Sequence, residues 1–183
     1  MKIVLDAGHG FQTPGKRSPC GLREYEFNSA VARCMKESLS NFRSVSVYET
    51  HSDLYDAALK QRTDFANSIH ADVFISIHAN AAGNGKEWVE AEGIETYVYL
   101  SRPKEALRLA ESVQKNLISA TKLKNRGVKT ADFHVLRETK MTAILVECGF
   151  MTSRKDIIEL RSDHFKSACS SAIIKALRQT YQF

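Results

Sequence analysis

The chain carries only 3 prolines and 9 glycines among 183 residues, too few for a disordered segment or a long linker. No apolar stretch approaches the length that would span a bilayer, so membrane insertion through a helix is not expected. No signal-peptide pattern precedes the first strand, so the simplest expectation is synthesis in the cytoplasm. Work outside the cell would then need release by lysis or a non-standard export route. The 4 cysteines (Cys20, Cys34, Cys148 and Cys169) lie far apart with no CxxC pair, which excludes a cysteine zinc site or a disulfide framework. Cys34 and Cys169 fall on apolar helix faces, where a free thiol serves as a small core residue. Basic residues never run longer than two, and nucleic-acid motifs with interleaved aromatics are missing. The surplus of 26 Lys and Arg over 21 Asp and Glu, a net +5, therefore favours anionic partners in general without pointing to nucleic acid.

What is present is a core and a rhythm. Hydrophobic residues make up 43% of the chain, enough for one substantial core, and a single domain over residues 1–183 is expected. Ile3 to Leu5 is a short apolar run ended by Ala7-Gly8-His9-Gly10, and a polar loop follows to about Arg23. Phe27, Val31, Met35 and Leu39 recur at helical spacing, predicting a helix over about 26–41. Val45 to Tyr48 reads as a strand. Ser52 or Asp53 is placed to cap a helix carrying Leu54, Ala58, Phe65 and Ile69. Residues 72–78, DVFISIH, form an apolar run of strand length, and 81–92 form a polar loop. Ile94 to Leu100 reads as a strand, about 103–121 as a helix, Phe133 to Leu136 as a short strand and Ala143 to Val146 as another. Helices near 154–160 and 163–180 finish the chain. Strands alternating with helices, the central ones apolar throughout, predict an α/β fold. Its sheet should be mostly parallel or mixed, twisted, and covered by helices on both faces.

Three polar residues stand at the carboxyl ends of predicted strands: His9 after the first, His78 ending DVFISIH and Glu147 ending AILVE. In open α/β sheets ligands bind at that edge, where the loops diverge into a crevice. Alternation places Ile75 and Ile77 on one face, with Ser76 and His78 on the other. Two histidines and one carboxylate form a common ligand set for a catalytic zinc, with one position left for water. On spacing alone the third ligand is open among Glu24, Glu26 and Glu147. A further carboxylate is needed to take the proton of the attacking water. The alternative is that both histidines simply end strands or fill loops.

The segments IVLDAGHG (3–10), GLREYEFN (21–28), ISIHANA (75–81), GIETYVY (93–99) and RGVKTADFHVLRETKMTAILVECGFMT (126–152) together resemble the type 3 N-acetylmuramoyl-L-alanine amidases. They occur in that family's order and at its spacing, and the resemblance runs from Lys2 to the last helix. It implies a zinc enzyme that cuts the amide between N-acetylmuramic acid and L-alanine in peptidoglycan, as endolysins, autolysins and spore-lytic amidases do. It also implies that His9, Glu24 and His78 bind the metal and that Glu147 is catalytic. Gly21-Leu22-Arg23-Glu24 matches the family's GL-x-E pattern, which selects Glu24 over Glu26. Departures are small: Ala7 and Thr142 stand where many relatives have proline. Some exported members carry a long blocking helix after the SIHAN strand. Only Ala81 to Glu92 separates SIHANA from GIETY here, which leaves no room for one.

Other polar residues carry weaker expectations. Asn80 and His134 are candidates for substrate contact, with a turn asparagine and a half-buried structural histidine as the plain alternatives. Asp6 is placed to orient His9, a common device behind metal ligands. Arg62 is expected to pair with a carboxylate, and Trp88 to stack on substrate or pin its loop. Peptidoglycan is the expected partner of a monomer, alone or within a longer chain that has a wall-binding module. Two competing functions remain: a zinc peptidase cutting within the stem peptide, and a wall-binding protein that has lost catalysis.

Overall fold

Side-chain alternation along the central strands divides the molecule into two unequal layers. The computed structural model describes residues 1–183. The strands are β1 (Lys2–Ala7), β2 (Ser46–Glu49), β3 (Val73–Asn80), β4 (Ile94–Val98), β5 (Asn125–Thr130) and β6 (Thr142–Phe150). The helices are α1 (Glu24–Leu39), α2 (Leu59–Ser68), α3 (Lys104–Thr121), α4 (His134–Arg137), α5 (Asp156–Leu160) and α6 (Asp163–Tyr181). One six-stranded sheet runs in the order β2-β1-β3-β6-β4-β5, and every neighbouring pair is parallel except β4 with β6.

One face of the sheet presents Ile3, Leu5, Val73, Ile75, Ile77, Ile144 and Val146. These pack beneath α1, α3 and α6 in a core cluster of 32 buried residues. Long apolar stripes such as Phe27, Val31, Met35 and Leu39 on α1 are what such a face needs. The other face presents Val4, Phe74, Ala143 and Leu145, covered by α2 and α4 in a cluster of only 8 buried residues. Along this second face the apolar residues give way to polar ones toward the carboxyl edge. Val4 is followed by Asp6, Phe74 by Ser76 and His78, and Leu145 by Glu147. The thin cover leaves that end of the face open.

Three local expectations are corrected. Phe133 to Leu136 forms the start of the one-turn helix α4 rather than a strand. The strand beside it, β5, was not expected, because an edge strand reading NRGVKT has no apolar run to mark it. The helix expected from Ser52 or Asp53 starts only at Leu59, with Gln61 accepting from the Ala58 N–H. Leu54 lies outside it at 91% exposure, so its apolar character served no buried face.

Candidate active site

The two histidines reach the carboxyl edge by different routes. His78 is on β3, on the open face, and His9 follows β1 in the loop that leaves the sheet. His9 has φ +62°, a left-handed conformation that costs a non-glycine residue about 1 kcal/mol or more. It persists because the loop is held at several points. Asn28 donates to the Gly8 carbonyl at 3.0 Å, and the Arg62 guanidinium donates to the carbonyls of Ala7 and His9, both at 2.6 Å. Gly8 itself has no room for a side chain, since a Cβ there would lie 2.0 Å from Cε1 of His78. The expectation that Arg62 pairs with a carboxylate is met by Asp6 at 2.8 Å, both side chains being buried.

Glu24 opens α1 and is 4% exposed. Its carboxylate sits between the two imidazoles, with Oε1 2.9 Å from Nδ1 of His78 and Oε2 3.2 Å from Nε2 of His9. Hydrogen bonds and charge from the histidines hold this carboxyl far below its usual range, although burial alone would raise it. Glu26 points elsewhere: it is exposed and accepts from the Arg23 N–H to cap the helix. Nitrogen or oxygen atoms of His9, Glu24 and His78 all lie within 4.8 Å of one another. Zinc bonds of about 2.0–2.2 Å put the ligands of a tetrahedral ion about 3.3 Å apart. The separations of 2.9 and 3.2 Å from Glu24 to the two imidazoles are already close to that spacing. Two imidazoles and one carboxylate are also the donor chemistry zinc takes.

Glu147 follows on β6, directly beside His78 in the β3–β6 register. Its Oε2 is buried without a hydrogen-bond partner. Burial pushes this carboxyl up to about 8; the charges of Glu24 and Glu95 add to the rise and His78 opposes it. An unpartnered carboxylate at the end of a cleft is placed to accept a proton. The cleft, of about 480 Å³, is lined by His9, Lys16, Arg62, His78, His134 and Glu147 among others.

The remaining candidates separate. His134, at the start of α4, lines the cleft and lies 3.5 Å from the Thr63 hydroxyl. The Asn80 side chain is spent on its surroundings, its amide donating to Glu95 at 2.8 Å and its carbonyl accepting from the Ala81 N–H. Against the expectation that it orients His9, Asp6 makes no side-chain hydrogen bond to that residue. It accepts from Arg62, Thr50 and Ser76, and the last of these stands next to His78. Trp88 lies under the Arg154 guanidinium, 5.1 Å from ring centroid to carbon, which pins its loop. Cys148 is buried on the opposite face from Glu147, as alternation predicts.

One residue at this edge escaped sequence reasoning altogether. Glu95 is 2% exposed and accepts from Asn80, Tyr97, Arg126 and Lys129. It sits at the beginning of β4, and because β4, with β5 parallel to it, runs antiparallel to β6, its beginning lies where β1, β2, β3 and β6 end. The rule that sites gather at carboxyl ends of strands passes over such a residue.

A family model described as N-acetylmuramoyl-L-alanine amidase matches residues 3–179. The N-acetylmuramoyl-L-alanine amidase CwlM of Bacillus licheniformis is 36% identical over 166 residues, covering 90% of this chain and 62% of that protein. A sporulation-specific N-acetylmuramoyl-L-alanine amidase of Bacillus subtilis is 31% identical over 182 residues, covering 99% of this chain and 68% of its own length. The chain thus spans about two thirds of these curated relatives. Among solved structures, the catalytic domain of CwlV, an amidase from Bacillus (Paenibacillus) polymyxa var. colistinus, superposes with a TM-score of 0.89 at 32% identity. That match covers 97% of this chain and 96% of the domain.

Proposed function

The chain belongs to the N-acetylmuramoyl-L-alanine amidase family, and from that premise we propose that it hydrolyses the amide between N-acetylmuramic acid and L-alanine in peptidoglycan. The observation that carries this reading is the meeting of His9, Glu24 and His78 beside an unpartnered Glu147 at the open end of one cleft. Residues 1–183 act in this proposal as one catalytic domain, working as a monomer at the cell wall. No helix is long and apolar enough to cross a membrane.

His9, Glu24 and His78 would hold zinc, in keeping with the general zinc dependence of the family. Bound there, zinc supplies Lewis acidity that polarises the scissile carbonyl and makes water acidic enough to attack near neutral pH. Glu147 takes the proton from the attacking water as its oxygen bonds to the lactyl carbonyl carbon. It then gives that proton to the L-alanine nitrogen as the C–N bond breaks. The products are a lactyl carboxylate on the sugar and a peptide with a free L-alanine amine. Lys16 and His134 line the same cleft and face the substrate in this reading. The segment 81–93 between β3 and β4 contains no helix, which supports the reading of a domain that works without an activator.

Removal of zinc with a chelator should abolish digestion of purified walls, and added Zn²⁺ should restore it. Undiminished digestion by demonstrably zinc-free protein would overturn the mechanism.

A further inference from the structure

Behind the two histidines lies a buried chain of polar groups, and its proton count fixes how His78 is used. Ser76 is two residues before His78 on β3 and fully buried. Its Oγ lies 2.6 Å from Oδ2 of Asp6 and 3.1 Å from Nε2 of His78. A hydroxyl has one proton to give. Asp6 is occupied as an acceptor, with its Oδ1 taking bonds from Thr50 at 2.5 Å and from Arg62 at 2.8 Å. If the Ser76 proton pointed to His78, a carboxylate oxygen and a hydroxyl oxygen would face each other at 2.6 Å with only lone pairs between them. The proton therefore goes to Asp6, and Ser76 is left as an acceptor toward Nε2.

We infer that Asp6 and Ser76 form a relay that places the His78 proton on Nε2 and leaves Nδ1 as the metal-binding atom, with Arg62 anchoring both the relay and His9. The inference rests on reading His9, Glu24 and His78 as metal ligands. Nδ1 is the nitrogen 2.9 Å from Oε1 of Glu24, so the relay points its lone pair into the trio and not away from it. With the Nε2 proton fixed by the relay, a cation shared by Nδ1 and Oε1 takes the place of the proton that otherwise bridges them. Gly8 makes room for this orientation, because its missing Cβ is what lets the imidazole lie against the loop.

Arg62 connects the two ligands. One of its terminal nitrogens bonds both Asp6 and the Ala7 carbonyl, and the other bonds the carbonyl of His9 at 2.6 Å. Its Nε donates to the Ala57 carbonyl at 2.9 Å, which ties the guanidinium to the chain just ahead of α2. A single buried cation thus holds the left-handed backbone of one ligand and the proton relay of the other. Partners behind metal ligands commonly change metal affinity by about 10–100-fold when removed. Asp6, Ser76 and Arg62 are positioning residues in this sense, since none of them offers an atom to the trio itself.

The test uses the full chain. Zinc binding by the wild type is established first by competition with a chromophoric chelator; a failure to bind would overturn the proposed function and this inference with it. Long-range proton–nitrogen NMR correlation of the ¹⁵N-labelled, zinc-loaded protein then reports which His78 nitrogen carries the proton. The relay predicts a proton on Nε2 and ligation through Nδ1. A proton on Nδ1 with ligation through Nε2 would overturn it while leaving the zinc site standing. Ser76→Ala should lower zinc affinity about 10–100-fold with an unchanged circular dichroism spectrum. Unchanged affinity would also count against the relay, and if that variant fails to fold, the wild-type spectrum decides alone.

Discussion

Glu95 and Glu147 stand directly opposite each other across the antiparallel pairing of β4 with β6, both turned to the open face of the sheet. Like charges so placed repel. The cations answer only one of them: Arg126 and Lys129 both bond Oε2 of Glu95, at 2.6 and 2.5 Å, and Glu147 keeps a free oxygen. This asymmetry divides the labour between the two carboxylates. Glu95 is a fixed anion within the scaffold, and Glu147 is the one free to exchange a proton.

Glu147→Gln keeps the shape of the side chain and removes its ability to accept a proton. The variant should fold and retain zinc while its rate on purified walls falls about 10²–10⁴-fold, the usual contribution of a general base. Metal analysis beside the rate measurement checks both halves. A variant that lost its metal would place Glu147 among the ligands.

Glu95→Gln should act on stability first. It weakens charge-assisted bonds to Arg126 and Lys129, at a cost of about 2 kcal/mol. In a chain of this size that lowers Tm by roughly 4–8 °C. Thermal melts should show the loss with zinc still bound. A Tm equal to wild type would mean that the partly exposed cations find water as readily as Glu95.

The pattern of what was legible follows from this edge. His9, His78 and Glu147 could be found because parallel strands carry their last residues to one place and alternation shows which side each faces. The choice among Glu24, Glu26 and Glu147 for the third ligand was not open to spacing, since it depends on how α1 approaches the sheet; resemblance decided it. Glu95 was hidden by the reversed direction of β4, and β5 by its polar edge-strand sequence. Asp6 was noticed as a support for the wrong histidine. Its real contacts depend on Arg62, Thr50 and Ser76, brought in from α2, the segment after β2, and β3.

The buried pair Asp6–Arg62 predicts an acid-sensitive fold. Burial would raise the Asp6 carboxyl, yet Arg62 and the hydroxyls of Ser76 and Thr50 outweigh it and hold the group below its ordinary 3.8. The native state therefore favours the carboxylate. The stability this gives is present above about pH 4 and is lost as the pH falls below that, through the depressed native value. Asp6→Asn should cost about 3–5 kcal/mol near neutrality, because it strands a buried guanidinium. Denaturant unfolding of the metal-free proteins at pH 6 and pH 3 checks the sign. The gap between wild type and variant should narrow at the lower pH, and a gap that widened would contradict the ion-pair account.

The substrate bond is tested most directly by the chemical ends that digestion creates. Purified peptidoglycan treated with the zinc-loaded protein should gain free amino groups, and end-group analysis should identify their residue as L-alanine, with no rise in reducing sugar. A glycosidase would release reducing ends instead, a stem peptidase would expose amines on other residues, and a silent binding protein would expose none. New amines on L-alanine that disappear in Glu147→Gln are the predicted result; new amines on any other residue would contradict the amidase assignment even with the zinc site intact.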